Sequence, residues 1–259
     1  MFPRGLAVLL TVTALTACGT NEDPAPRTTA LPTAPSVTAA PDALLLRWRL
    51  TGGIAGVGGP GSLPDFSLYG DGRALAPVRE DGVEVLREYR LTADALGRLL
   101  DGARAAGLDR NRTVSDPRVA DAFTLAIRYG SARTRIQHPE GAADPAVRFW
   151  KRLSPEAWPA GDLAAPPRTY APERLAVLTG EVVGGDRKAR PWPLRPLGGG
   201  ERAAGGRCTV LQGADTRRAL ELGTSTPAGT AWRSDGTVYS VRWRPLLPDE
   251  TSCRTMAES

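Results

Sequence analysis

Among 259 residues the chain has one histidine, three cysteines and only two lysines. With His138 as the sole imidazole, no His-Glu-x-x-His zinc site can form, and the cysteines offer no Cys-x-x-Cys pair. Neither a Gly-x-Ser-x-Gly elbow nor a Ser-x-x-Lys occurs, so the usual nucleophile–base pairings have almost no material to work with. His138 could serve as a base, but its place before Pro139 at a hairpin end favours a solvated or structural role. No catalytic residue, metal or cofactor is expected on this basis. Long apolar runs are missing too. The best, residues 6–17, would span about 18 Å as a helix at ~1.5 Å per residue, against a hydrocarbon core of about 30 Å.

That short run follows a start with one positive charge, Met1 to Arg4, and ends in Leu15-Thr16-Ala17-Cys18. The arrangement has the build of a secretory signal and resembles the lipobox of bacterial lipoprotein precursors. The resemblance implies that Cys18 receives a diacylglyceryl group, that residues 1–17 are removed, and that the protein is held by lipid on the extracytoplasmic face of the cell membrane. Two acyl chains matter because each buried CH₂ contributes about 0.8 kcal/mol and one chain anchors only marginally. Residues 18–41 then read as the lipidated cysteine and a disordered linker: five Pro, five Thr and five Ala fall within residues 19–41 without apolar periodicity.

From Asp42 the composition is that of a folded chain, expected to divide into an α+β domain or subdomain over 42–167, a smaller disulfide-closed α+β subdomain over 168–253, and a tail, 254–259. Lipidation of Cys18 leaves Cys208 and Cys253 as a pair outside the cytoplasm, where a disulfide persists. Alternation marks strands at 43–51, 66–69, 73–78, 83–91, 122–129 and 132–137, joined in hairpins at Gly70-Asp71-Gly72 and Gly130-Ser131. Thr92 is placed to cap a helix ending near Ala106, with Gly107 as its stop. Asp144 and Pro145 open a second helix that buries Val147, Trp150 and Leu153. A Pro-rich passage covers 158–172. Beyond it, strands are expected at 174–183 and 208–211, with a long loop at 184–206 between them. A helix capped by Asp215 and a hairpin around Ser234-Asp235-Gly236 follow. The pattern predicts an α+β fold, mainly antiparallel sheet built from hairpins, with two or three short helices.

The run Phe66–Gly72, the helix opening at Thr92 and closing at Gly107-Leu108, and the hairpin at 122–137 resemble uncharacterised secreted domains of bacteria. Arg244-Pro245-Leu246-Leu247-Pro248 before Cys253 is similar to the tails of uncharacterised actinobacterial lipoproteins. The resemblance implies an exported α+β domain and carries no catalytic assignment.

Net charge is +5, and 31 of the 33 basic residues are arginine. Residues 42–167 hold 17 basic and 16 acidic residues, 168–253 hold 13 and 9, so the excess lies mainly in the C-terminal part. An anionic partner such as lipid headgroups or an acidic wall polymer fits this charge, although a GC-rich codon usage accounts for it more simply. Nucleic acid is not an expected partner of an exported domain. Gly56 to Gly61 fits G-x-G-x-x-G literally, but Pro60 and a new strand follow where a helix N-terminus is required, so a surface loop is expected.

Trp192, between two prolines and among Arg187, Lys188, Arg190 and Arg195, is the best candidate to stack on a sugar or anchor a partner. Covering a core edge is the favoured alternative. The remaining chemistry belongs to carboxylates: Asp65, Asp71, Glu84 and Glu88 are available, and a glycosidase needs two, though Asp71 and Asp235 also suit turns. The function expected is thus a non-enzymatic binding module at the cell envelope, its partners the membrane through the anchor and a wall polymer or envelope protein. The alternative is a carboxylate-based hydrolase of envelope glycans.

Overall fold

Two antiparallel-rich sheets with helices packed on their faces make up the α+β structure. The computed structural model describes residues 33–35, 38–53, 56–116, 119, 121–183 and 188–259. The signal segment 1–17, Cys18, the linker residues up to 32, residues 36–37 and Arg187 lie outside the described residues.

The first sheet has eight strands. In chain order these are β1 (Leu44–Gly52), β2 (Phe66–Tyr69), β3 (Arg73–Glu80), β4 (Val83–Leu91), β5 (Arg112–Val114), β6 (Phe123–Tyr129), β7 (Ala132–Gln137) and β8 (Leu163–Thr169). Their spatial order is β5-β7-β6-β1-β2-β3-β4-β8, and every pairing is antiparallel except β5 with β7. Period-two alternation puts Leu46, Phe66, Leu68, Leu125, Ile127 and Tyr129 on one face, under α1 (Ala93–Ala105) and α2 (Pro145–Trp150).

Thr92 caps α1 by accepting from the Ala95 N–H at 3.3 Å. Gly107, at φ 74°, ends it: the Gly107 and Leu108 N–H groups donate to Arg104 O and Ala103 O, and Leu108 is buried. This is a Schellman stop, and its left-handed residue suits glycine. Asp144 caps α2, which buries Val147 and, unforeseen in the sequence, Phe149; Trp150 is only half-buried.

The second sheet comprises β9 (Arg174–Glu181), β10 (Arg190–Pro191), β11 (Glu201–Ala203), β12 (Gly206–Gln212), β13 (Ala231–Ser234) and β14 (Thr237–Pro245), in the order β10-β13-β14-β9-β12-β11. Helix α3 (Ala214–Ser225) covers one face, over Leu175, Val177, Leu211 and Trp232. The face of the first sheet opposite α1 and α2, and that of the second opposite α3, each carries a smaller apolar cluster, and consecutive residues join them. Leu247 packs with Tyr69, Leu75 and Leu86, while Leu246 packs with Ala176, Leu178 and the disulfide cysteines. Cys208 and Cys253 are bonded, with Cα atoms 6.1 Å apart.

Several local expectations are corrected. The Pro-rich passage contains β8, an edge strand whose Pro166 and Pro167 sit where the register with β4 shifts, so their missing N–H groups break no ladder. The loop expected at 184–206 contains β10 and β11, two rim strands too short to show periodicity. Asp215 does not cap α3; Gly213 holds that position, and Asp215 lies within the first turn, 3.3 Å from Arg195. The tail at 254–259 is instead mostly α4 (Cys253–Glu258), the fourth helix among the described residues. It opens with a reciprocal box between Ser252 and Thr255 and buries Met256. Residues 33–35 and 38–41, read as free linker, rest on the first sheet: Ser131 N–H donates to Thr33 O, Asp71 N–H to Pro41 O, and Ala34 and Ala39 pack on the core.

Candidate functional site

The indole of Trp192 is occupied by its own fold. It stacks on Trp243 at 5.6 Å and 25°, meets Trp232 edge-on at 5.2 Å, and donates Nε1–H to Arg195 O at 2.7 Å. It covers the edge of the second core. Lys188 and Arg190 are exposed nearby in sequence, and Arg195 pairs with Asp215. His138 lies at φ 54° with Nδ1 3.6 Å from Asp116 Oδ2.

The carboxylates separate into two kinds. Asp71 holds its turn, accepting from Arg73 N–H at 3.1 Å and pairing with Arg73 and Arg90. Glu88, buried, pairs with Arg168 at 2.8 Å. Asp65 and Glu84, by contrast, line one cleft of ≈ 340 Å³ together with Arg242, Trp243 and Arg244. Burial pushes the Asp65 carboxyl up, against the pull of the Leu50 N–H, which it accepts at 2.7 Å, and of Arg49.

Where the two sheets approach, a buried ionic network has formed. Arg47, only 4% exposed, donates Nε–H to Ser67 Oγ at 2.9 Å and Nη2–H to Asp249 Oδ1 at 2.7 Å, and the Tyr69 hydroxyl donates to the same Oδ1 at 2.8 Å. Arg244, 2% exposed, donates to Glu250 Oε1 at 2.9 Å, and Glu250 Oε2 accepts the Leu247 N–H at 2.9 Å. Burial opposes the charge on Arg47, yet Tyr69, Asp249 and Glu250 together raise its pKa; Arg244 is lowered by burial. Burial also holds the Tyr69 phenol well above its ordinary range.

Next to this network lies an arginine face. Arg47, Arg128 and Arg133 are cross-strand partners in one row over β1, β6 and β7, and Arg49, Ala126 and Arg135 form the next row. These residues line a cleft of ≈ 230 Å³ whose far wall is Ala257 to Ser259. Arg47 has Asp249. Arg49 is held by the carbonyls of Gly58 and Ser62, and Arg128 by that of Gly130. Among the described residues none of Arg49, Arg128, Arg133 and Arg135 has a carboxylate within ion-pair distance. Burial lowers the pKa of Arg49, helped by Arg244 and Arg47, and that of Arg128, helped by Arg133 and Arg47. Four cations without a carboxylate in direct contact, Arg49 and Arg128 feeling Asp65, Glu250 and Asp249 only from farther off, make a surface suited to anions.

Compared with known protein families, curated proteins and solved structures, the chain matches none.

Sequence reasoning placed the basic excess in the C-terminal part, whereas this cluster stands on the first sheet. The available signal was the alternation Arg47/Arg49 and Arg133/Arg135 opposite apolar residues. What it lacked was the strand order that sets β1, β6 and β7 side by side. Among the described residues no group of three or more His, Cys, Asp or Glu side chains could hold a metal.

Proposed function

We propose that this chain is a lipid-anchored, extracytoplasmic binding module of the cell envelope, non-enzymatic, that meets an anionic partner with its arginine face. The single observation carrying the binding reading is the set Arg49, Arg128, Arg133 and Arg135, gathered on three adjacent strands without carboxylate partners among the described residues. The cell-membrane location rests on the Leu15–Cys18 lipobox and its diacylglyceryl anchor. Rebinding of the anchor-free Cys18→Ala protein to isolated envelopes tests the binding: it should weaken steeply as salt rises, because screening acts on exposed charges. Salt-independent retention, or none, would overturn it. Cys18→Ala should move the protein out of the membrane fraction, and unchanged partitioning would defeat the anchor.

A second reading, a carboxylate-based hydrolase of envelope glycans, is favoured by Asp65 and Glu84 lining one cleft beside Trp243. A raised Asp65 pKa suits a general acid. Release of reducing ends from envelope glycans should then be abolished by Asp65→Asn, and wild-type protein that releases none sinks this reading.

A further inference from the structure

We propose that the arginine-lined cleft binds phosphate groups and that its ligand is a phosphate-bearing polymer. This rests on the reading of that face as an anion-binding surface and narrows it to one chemistry.

The register carries the argument. Neighbouring strands are about 4.8 Å apart and residues two apart on a strand about 6.7 Å, so the rows Arg47–Arg128–Arg133 and Arg49–Ala126–Arg135 form a compact grid of five guanidinium stems. Like charges directly opposite one another destabilise a sheet. Asp249 makes a direct ion pair only with Arg47 and acts on Arg128 from farther away. Ala126, with its short side chain, leaves a floor between Arg49 and Arg135. Carbonyls of Gly58 and Ser62 fix Arg49 in place, and its Nε–H is buried with no acceptor among the described residues. Glu258 is the one acidic side chain on the cleft wall; it is exposed and forms no ion pair with these arginines.

Donor number favours phosphate. A carboxylate offers two oxygens confined to one plane, which suits donors arriving in that plane. Here several forks reach one small cleft from three strands, and a tetrahedral phosphate offers oxygens in enough directions to engage more than one. The grid repeats along the strands, and its outer members Arg133 and Arg135 are exposed. Successive phosphates of an extended chain can therefore engage successive rows.

The test is calorimetric titration of the otherwise complete Cys18→Ala chain, which carries no lipid, at low salt with linear inorganic polyphosphate, with polyglutamate of matched charge, and with vesicles containing phosphatidylglycerol. Polyphosphate should bind at least about tenfold tighter than polyglutamate. Arg133→Gln with Arg135→Gln, both at exposed positions, should weaken polyphosphate binding about tenfold or more. Arg217→Gln with Arg218→Gln, an equal charge change on exposed positions of α3, should leave it unchanged. Equal or tighter binding of polyglutamate overturns the phosphate inference but leaves the anion-binding reading standing. No binding to either polymer or to the vesicles overturns both. Vesicle binding without polymer binding assigns the face to a membrane surface and overturns the inference, as does an equal loss in the α3 variant.

Discussion

Glu250 is the residue whose loss the fold should feel most. It is fully buried, its partner Arg244 is 2% exposed, and its two oxygens hold the Arg244 guanidinium and the Leu247 N–H. Glu250→Gln keeps the shape and one acceptor but strands a buried cation. Breaking a buried pair in this way costs about 3–5 kcal/mol. Glu250→Ala also orphans the Leu247 amide, adding about 1–3 kcal/mol, so a total of about 4–8 kcal/mol is expected. Domains are stable by only about 5–15 kcal/mol, so the Ala variant should sit near the edge of folding. Urea unfolding followed by tryptophan fluorescence measures this, with the slope required to stay constant so that the midpoint reports stability. Arg244→Met combined with Glu250→Leu should cost far less than either single change, because no charge is left buried. A Glu250→Gln cost below about 1 kcal/mol would refute the reasoning: water would then be reaching Arg244, and the network would not be dry.

Opening the Cys208–Cys253 bond, which spans a separation of 45 residues, should cost about 4 kcal/mol in the chain-entropy model; intact mass with and without reductant reports the bond, and two freely alkylated thiols in unreduced protein would disprove it. Thr92→Ala should remove about 1 kcal/mol through the lost cap of α1, read as a midpoint shift with unchanged slope. Burial pushes the Tyr170 phenol up to about 12 from 10.0, and its hydroxyl donates to Leu246 O at 2.9 Å. A raised folded-state value means this stability is complete below pH 10 and is lost as pH climbs toward 12. Tyr170→Phe should flatten that alkaline limb, and an unchanged limb would assign it to other groups.

Hairpins and first-helix boundaries were legible because their causes are local. Gly70-Asp71-Gly72 and Gly130-Ser131 join strands that alternate in place, and Thr92 and Gly107 bracket α1 with their own chemistry. The disulfide followed from counting. β8 was hidden because two prolines look like a break until the edge position and register shift are known. α4 was hidden because six residues carry little periodicity and depend on the Ser252–Thr255 box and on Met256 finding the second sheet. The arginine face was out of reach for another reason: in sequence each arginine only alternates with apolar residues of its own strand, and only the β7-β6-β1 order turns them into a cluster. Asp65 and Glu84 were visible as types, but the cleft that they share involves residues of both sheets.

Arg47 leaves the ribosome 202 residues before Asp249. The first sheet therefore draws the counter-charge of its buried guanidinium from the far end of the chain. The same short stretch, Leu246–Glu250, supplies the apolar links between the two sheets and the acids for Arg47 and Arg244. A chain cut short of that stretch should therefore keep an uncompensated buried charge in its first sheet and be digested faster than the whole protein, which limited proteolysis reads.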